Sequence, residues 1–241
     1  MNALIHAEIT KLVTTRAAFG VLLGAIGISV LAVLAPGENA VAEFSKPIHE
    51  QQWAFIVATL MRVFLLVLGI RAVTDEFRHG TMTPSLLVAP KRSRLVAAKV
   101  VALAAAGIVV AATAGAALVG SALSVAALNG VTLNLDAGNW PTFAGMVLSG
   151  ALWPVVGIGL GLIVRSQVAA IVGGLVWLMA IEEVVRSRLG DLAGYLPGQA
   201  GLGLAISPTS RILLSTALIL AVYALVAATA GAVIMSRRDV S

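Results

Sequence analysis

Long apolar runs separated by short charged segments dominate this chain. The runs lie at about 17–35, 53–73, 96–128, 142–164, 167–185 and 211–235. Crossing the hydrocarbon core of a bilayer takes about 20 apolar helical residues. The runs are continuously apolar and lack the apolar–polar alternation of a barrel strand, so their backbone groups must be satisfied within helices. The pattern predicts an all-α integral membrane protein with about six transmembrane helices in one domain, 1–241. The third run, as a helix, measures about 50 Å against a core of about 30 Å. No Pro, Asn or Asp interrupts it, so one long helix projecting into the cytosol is expected rather than a hairpin. Ahead of the first run, Ile5, Ile9, Leu12 and Val13 share a helical face, with Glu8 and Lys11 elsewhere. That spacing predicts an interfacial helix over 1–16; a plain cytosolic tail is the alternative. Arg16 comes late, the apolar run after it is long and no A-x-A site follows, so the first run reads as a retained helix.

Composition sharpens this picture. The 241 residues are 59% hydrophobic and 11% charged, with a mean hydropathy of +1.01. A soluble domain is closer to a quarter charged. There is no cysteine, which excludes disulfides and thiolate metal sites. The net charge of +5 comes from basic residues clustered between apolar runs, so it speaks of topology and anionic headgroups rather than nucleic acid. With both termini in the cytosol, Lys11, Arg16, Arg71, Arg78, Lys91, Arg92, Arg94, Lys99, Arg165, Arg237 and Arg238 fall inside. Lys46, Arg186, Arg188 and Arg211 fall outside. Splitting the third run would move Arg165, Arg237 and Arg238 outside, against the positive-inside bias. The expected location is a bacterial cytoplasmic membrane.

The most informative segment is 69–99, which carries six of the sixteen basic residues. It also holds the acidic pair Asp75 and Glu76, the turn formers Gly80, Pro84 and Pro90, and the apolar patch Leu86, Leu87 and Val88. Apolar residues exposed amid charge suggest a docking surface for another protein; a solvated loop obeying the positive-inside rule is the bland alternative. The run Asp75-Glu76-Phe77-Arg78-His79-Gly80-Thr81, followed by Leu86-Leu87, Ala89-Pro90, Arg92 and Lys99, resembles the E-[FY]-R-x-G-T pattern, Leu pair, Pro and basic residues of ABC-2 type transporter permeases. Tyr195-Leu196-Pro197, ahead of the last run, also resembles that family, which often places short re-entrant helices there. An outer re-entrant segment is accordingly expected at 186–207.

The resemblance implies an ABC-2 type exporter fold and the transmembrane subunit of an ATP-driven exporter. It implies a cytosolic coupling loop at 74–94 in which Asp75, Glu76, Phe77, Arg78, Gly80, Thr81, Leu86, Leu87, Pro90 and Arg92 meet an ATPase. Gly80 suits a tight turn and Thr81 a helix cap. The implied partners are two copies of a separate ABC ATPase, a second permease in a homodimer or heterodimer, and membrane lipid. ATP and Mg would be cofactors of the ATPase only. The chain has no G-x-x-x-x-G-K-[ST] phosphate loop and no H-E-x-x-H or G-x-S-x-G motif, so it is not expected to be an enzyme itself.

Other polar residues stand out because of where they fall. Arg62 lies mid-run, at a cost of about 2.5–3.5 kcal/mol on insertion scales, and is a candidate cavity residue; snorkelling or helix pairing is its alternative. Glu182 and Glu183 end the fifth run and are candidate outer-gate residues, although pairing with Arg186 one turn on explains them more simply. Pro154 is expected to kink its helix, and Gly20/Gly24 and Gly157/Gly161 have the spacing of close helix packing. His6, His49 and His79 are scattered and form no metal set. Alanine-, valine-, leucine- and glycine-rich spans suit a lipid-like or amphipathic cargo, a drug or antibiotic among them. Two further functional readings stay open: an ATP-independent secondary transporter, which would need intramembrane carboxylates or broken helices, and a non-transporting scaffold or immunity-type membrane protein.

Overall fold

A computed structural model describes residues 1–34, 47–81, 92–130, 140–206 and 210–237. These residues are helical almost throughout and contain no strand. In chain order the helices are α1 (Asn2–Thr14), α2 (Arg16–Leu34), α3 (Pro47–Arg78), α4 (Arg92–Leu128), α5 (Trp140–Val164), α6 (Gln167–Val176), α7 (Glu182–Leu189), α8 (Pro197–Ala205) and α9 (Ser210–Arg237). A π-helical turn, Trp177–Ile181, joins α6 to α7, and a 3-10 turn, Gly190–Tyr195, leads into α8.

Among the described residues, four stretches are long and apolar enough to cross a bilayer: Ser93–Leu128, Trp140–Val164, Gln167–Tyr195 and Arg211–Met235. A fifth is added if Asn2–Thr14 and Ala18–Leu34, set at 64°, count as one bent span. The molecule is therefore a multi-pass helical membrane protein. The third apolar run is a single helix of 37 residues, about 55 Å long at the α-helical rise. The 53–73 run sits in a longer helix that reaches Arg78, so Asp75, Glu76, Phe77 and Arg78 are helical and not part of a loop. Of the expected 74–94 loop, His79, Gly80 and Thr81 are the described residues outside a helix, and Arg92 already belongs to α4. Leu86, Leu87 and Pro90 lie outside the described residues.

α5 is the central element and packs on α3, α4, α6, α8 and α9. Its close approaches follow from sequence. Pro154 has no N–H, so the Gly150 carbonyl one turn earlier lacks its helical donor. That carbonyl faces the Cα of Gly107 on α4, where any Cβ would overlap it. The contact is a Cα–H···O approach that only glycine permits. Around it the core is built from Leu65, Ile70, Leu103, Met146, Trp153, Ile158 and Leu162, all essentially buried.

Candidate functional site

Five charged residues are buried among the described residues: Glu8, Arg62, Glu76, Lys99 and Glu182. They fall into two clusters. In an apolar bundle an unpaired charge is too costly to keep, so each cluster is built from opposite charges.

The first cluster joins α1, the end of α3 and the start of α4. Lys99 donates to Glu8 Oε2 at 2.8 Å and to Glu76 Oε1 at 2.7 Å. Lys11 donates to Glu8 Oε1 at 2.9 Å and to Glu76 Oε1 at 2.8 Å. Two acids and two bases thus alternate in a closed ring. The Lys99 side chain is 3% exposed, whereas that of Lys11 is half exposed. Burial alone pushes the Glu8 carboxyl up, but Lys99 and Lys11 outweigh it and hold the group below the usual carboxylate range. Lys11 loses some basicity to burial and regains more from Glu76 and Glu8, so its ammonium is held above the ordinary lysine range. The second Glu76 oxygen is buried without a hydrogen-bond partner. Glu8 is therefore buried on the same side of α1 as Leu12, which packs against the core, while Ile9 and Val13 are exposed.

The rest of the motif surrounds this ring. Asp75 pairs with Arg71 at 3.4 Å, one turn earlier on α3. Phe77 lies under the Arg165 guanidinium, 5.3 Å from its ring centre. Arg78 Nη1 reaches Gln167 Oε1 at 3.4 Å, tying the end of α3 to the start of α6. Gly80 turns the chain with φ +65°, a left-handed conformation that favours glycine. The Thr81 N–H returns to the Glu76 carbonyl at 3.0 Å. Arg92 is the first residue of α4. Arg165 carries φ +59°, unusual for a residue with a side chain, in the turn between α5 and α6.

The second cluster lies 14 residues back along α3 from Glu76, about 21 Å away at the α-helical rise. Arg62 Nη1 donates to the Gly198 carbonyl at 2.8 Å. Glu182 accepts the N–H of Gly198 at 3.1 Å and that of Gln199 at 2.7 Å. Sequence reasoning expected Glu182 and Glu183 to act alike, but the structure separates them. Glu183 pairs with Arg186 on the exposed side of α7, while Glu182 is 1% exposed. The π turn explains the inward aim of Glu182. Residues four apart drift by about 40° around a regular α-helix. A wider turn absorbs that drift and keeps Ala170, Gly174, Leu178 and Glu182, all buried, on one inward face.

Sequence reasoning singled out Arg62, Glu76 and Glu182 but not their partners Glu8, Lys11, Gly198 and Gln199, nor the placement of Arg165. A usable signal existed: in a chain only 11% charged, every charge flanked by apolar residues needs an opposite charge or a helix end. Among the described residues no group of His, Cys, Asp or Glu could hold a metal ion. Against known proteins, no family model and no curated protein matches the chain.

Proposed function

We propose that this chain is the transmembrane subunit of an ABC-2 type exporter. It would move a lipid-like or amphipathic compound out of the cell on ATP hydrolysed by a separate subunit. One observation carries the reading beyond the motif resemblance: Glu76, the first residue of the E-F-R-x-G-T run, is the node of the charge ring that ties α1 and α4 to the end of α3. A push on the segment beginning at His79 would pass through that node into two other helices at once. This is the mechanical property a coupling element needs, since buried networks switch between discrete arrangements rather than flexing.

In this reading α2, α3, α4, α5, α6 with α7, and α9 are six spans, α1 lies in the cytosolic interface and both termini are inside. Two copies, or one copy and a similar chain, pair to form the pathway. Each binds one ATPase at 79–91, and ATP and Mg reside there. The test is co-purification with the neighbouring ATPase in nanodiscs, followed by ATP turnover with Glu76→Ala and Gly80→Pro. A stable complex whose turnover falls in both variants supports the reading. No complex with any candidate ATPase would favour a secondary transporter or a scaffold.

A further inference from the structure

α8 begins in an unusual way. Its first helical residue is Pro197, which has no N–H, and the residue before it, Leu196, has no side chain able to cap. The first N–H groups needing partners are those of Gly198 and Gln199. In an apolar bundle each, left unmade, costs several kcal/mol. Both are taken by one carboxylate, Glu182, which lies 16 residues upstream of Gly198 and reaches them from a different helix. The same turn is held from its other side by Arg62, which donates to the Gly198 carbonyl. Arg62 and Glu182 form no direct salt bridge; the Gly198 peptide lies between them. The negative charge sits at the helix N-terminus, where the helix dipole favours it, and the positive charge balances it. The fit is close, since a Cβ on Gly198 would overlap the Glu182 carboxylate. Beyond this turn α8 is seated by Ala200, Leu202 and Leu204, all buried, and by Gly201 against the Trp153 indole.

We propose that Glu182 and Arg62 form one latch that seats the re-entrant helix α8 on the bundle, Glu182 by capping its first turn and Arg62 by holding that turn's carbonyl and balancing the charge. α8 covers α3 and α5, so release of the latch uncovers them from the end of the molecule opposite the charge ring. The latch rests on geometry alone and its test needs no ATPase, so its failure is distinct from failure of the exporter reading.

The chain has no cysteine, so Ala200→Cys, at a fully buried position on α8, supplies a single thiol. Its reaction with a water-soluble maleimide is followed in nanodiscs, where both faces of the membrane are open to the reagent. In the otherwise unchanged protein the thiol is expected to react slowly. Adding Glu182→Gln or Arg62→Gln should speed the reaction about tenfold, the factor that loss of one helix cap gives in an opening equilibrium. The double variant should react no faster than the faster single, because there is only one latch to lose. Glu183→Gln, which removes an exposed pair, should leave the rate unchanged. An unchanged rate in Glu182→Gln overturns the proposal, as do effects of the two single changes that multiply in the double. Gly198→Ala keeps both charges and displaces the carboxylate from the helix side. It should also speed labelling, and an unchanged rate there overturns the latch even if Glu182→Gln does not fold.

Discussion

At the scale of single residues, helix crossings in this bundle depend on the absence of side chains. Gly107 meets the Gly150 carbonyl that Pro154 leaves without a donor, and the two backbones leave no room for a methyl group. Gly107→Ala should therefore force α4 and α5 apart, a cost of about 1–3 kcal/mol by comparison with other overpacked cores. Gly20 on α2 has open space where a Cβ would go. Gly20→Ala should be neutral or gain up to about 1 kcal/mol from helix propensity. Thermal midpoints of the two variants in one detergent separate these outcomes, and equal midpoints would contradict the packing argument. Pro154 and the Gly157/Gly161 spacing were legible in the sequence because each is a local signal. Gly107 was not, since its partner lies 43 positions away on another helix. Pro154 lies within one helix, Trp140–Val164, where it leaves a carbonyl without its helical donor.

At the scale of elements, the charge ring decides where α1 sits. Its amphipathic face was readable from residue spacing, but the role of Glu8 was not. Glu8 pairs with Lys99, 91 residues away, and Lys11 pairs with Glu76, 65 residues away. Nothing local in 1–16 marks Glu8 as buried. Lys99→Met would leave Glu8 and Glu76 buried with only the half-exposed Lys11 to share. Removing one partner of a buried pair costs about 3–5 kcal/mol; Lys11 should keep this case near the lower end, read as a drop in thermal midpoint. The ring also sets a pH dependence. The Glu8 carboxyl is held below its ordinary range in the folded protein, so its contribution to stability is full at neutral pH. It is lost as pH falls through the ordinary carboxylate range to the lower folded value. Lys11 has the opposite sign: its contribution is present at neutral pH and lost only as pH rises past the lysine range. The midpoint difference between the wild type and Glu8→Gln should thus be wide at neutral pH and close in acid. A gap that stayed constant from neutral to acid pH would mean that Glu8 is not titrating against the two lysines.

For the whole molecule, topology rests on the parity of spans, and parity rests on α4. The sequence favoured one long helix over a hairpin because no turn former interrupts 96–128, and the structure has one helix from Arg92 to Leu128. Two consequences follow without reference to function. Arg78 bonds to Gln167, so the end of α3 and the start of α6 are on the same side. Asn129, at the far end of α4, is then on the opposite side, as is Ser187, 20 residues along the stretch that begins at Gln167. The orientation proposed above from the positive-inside bias would make Arg78 and Arg165 cytosolic and turn Asn129 and Ser187 outward. His79, Ser166, Asn129 and Ser187 are all exposed, and the chain has no thiol of its own. Single replacements at these positions by cysteine should divide cleanly in intact cells. A membrane-impermeant maleimide is expected to label Asn129→Cys and Ser187→Cys directly, and to reach His79→Cys and Ser166→Cys only after the cells are opened. The reverse division would keep the fold and invert its orientation, placing the Glu76 node outside and removing any route to a cytosolic ATPase. Asn129→Cys and Ser166→Cys labelled together would break the parity itself. α5, the described helix between them, would then fail to cross the membrane, despite its spanning length and hydropathy.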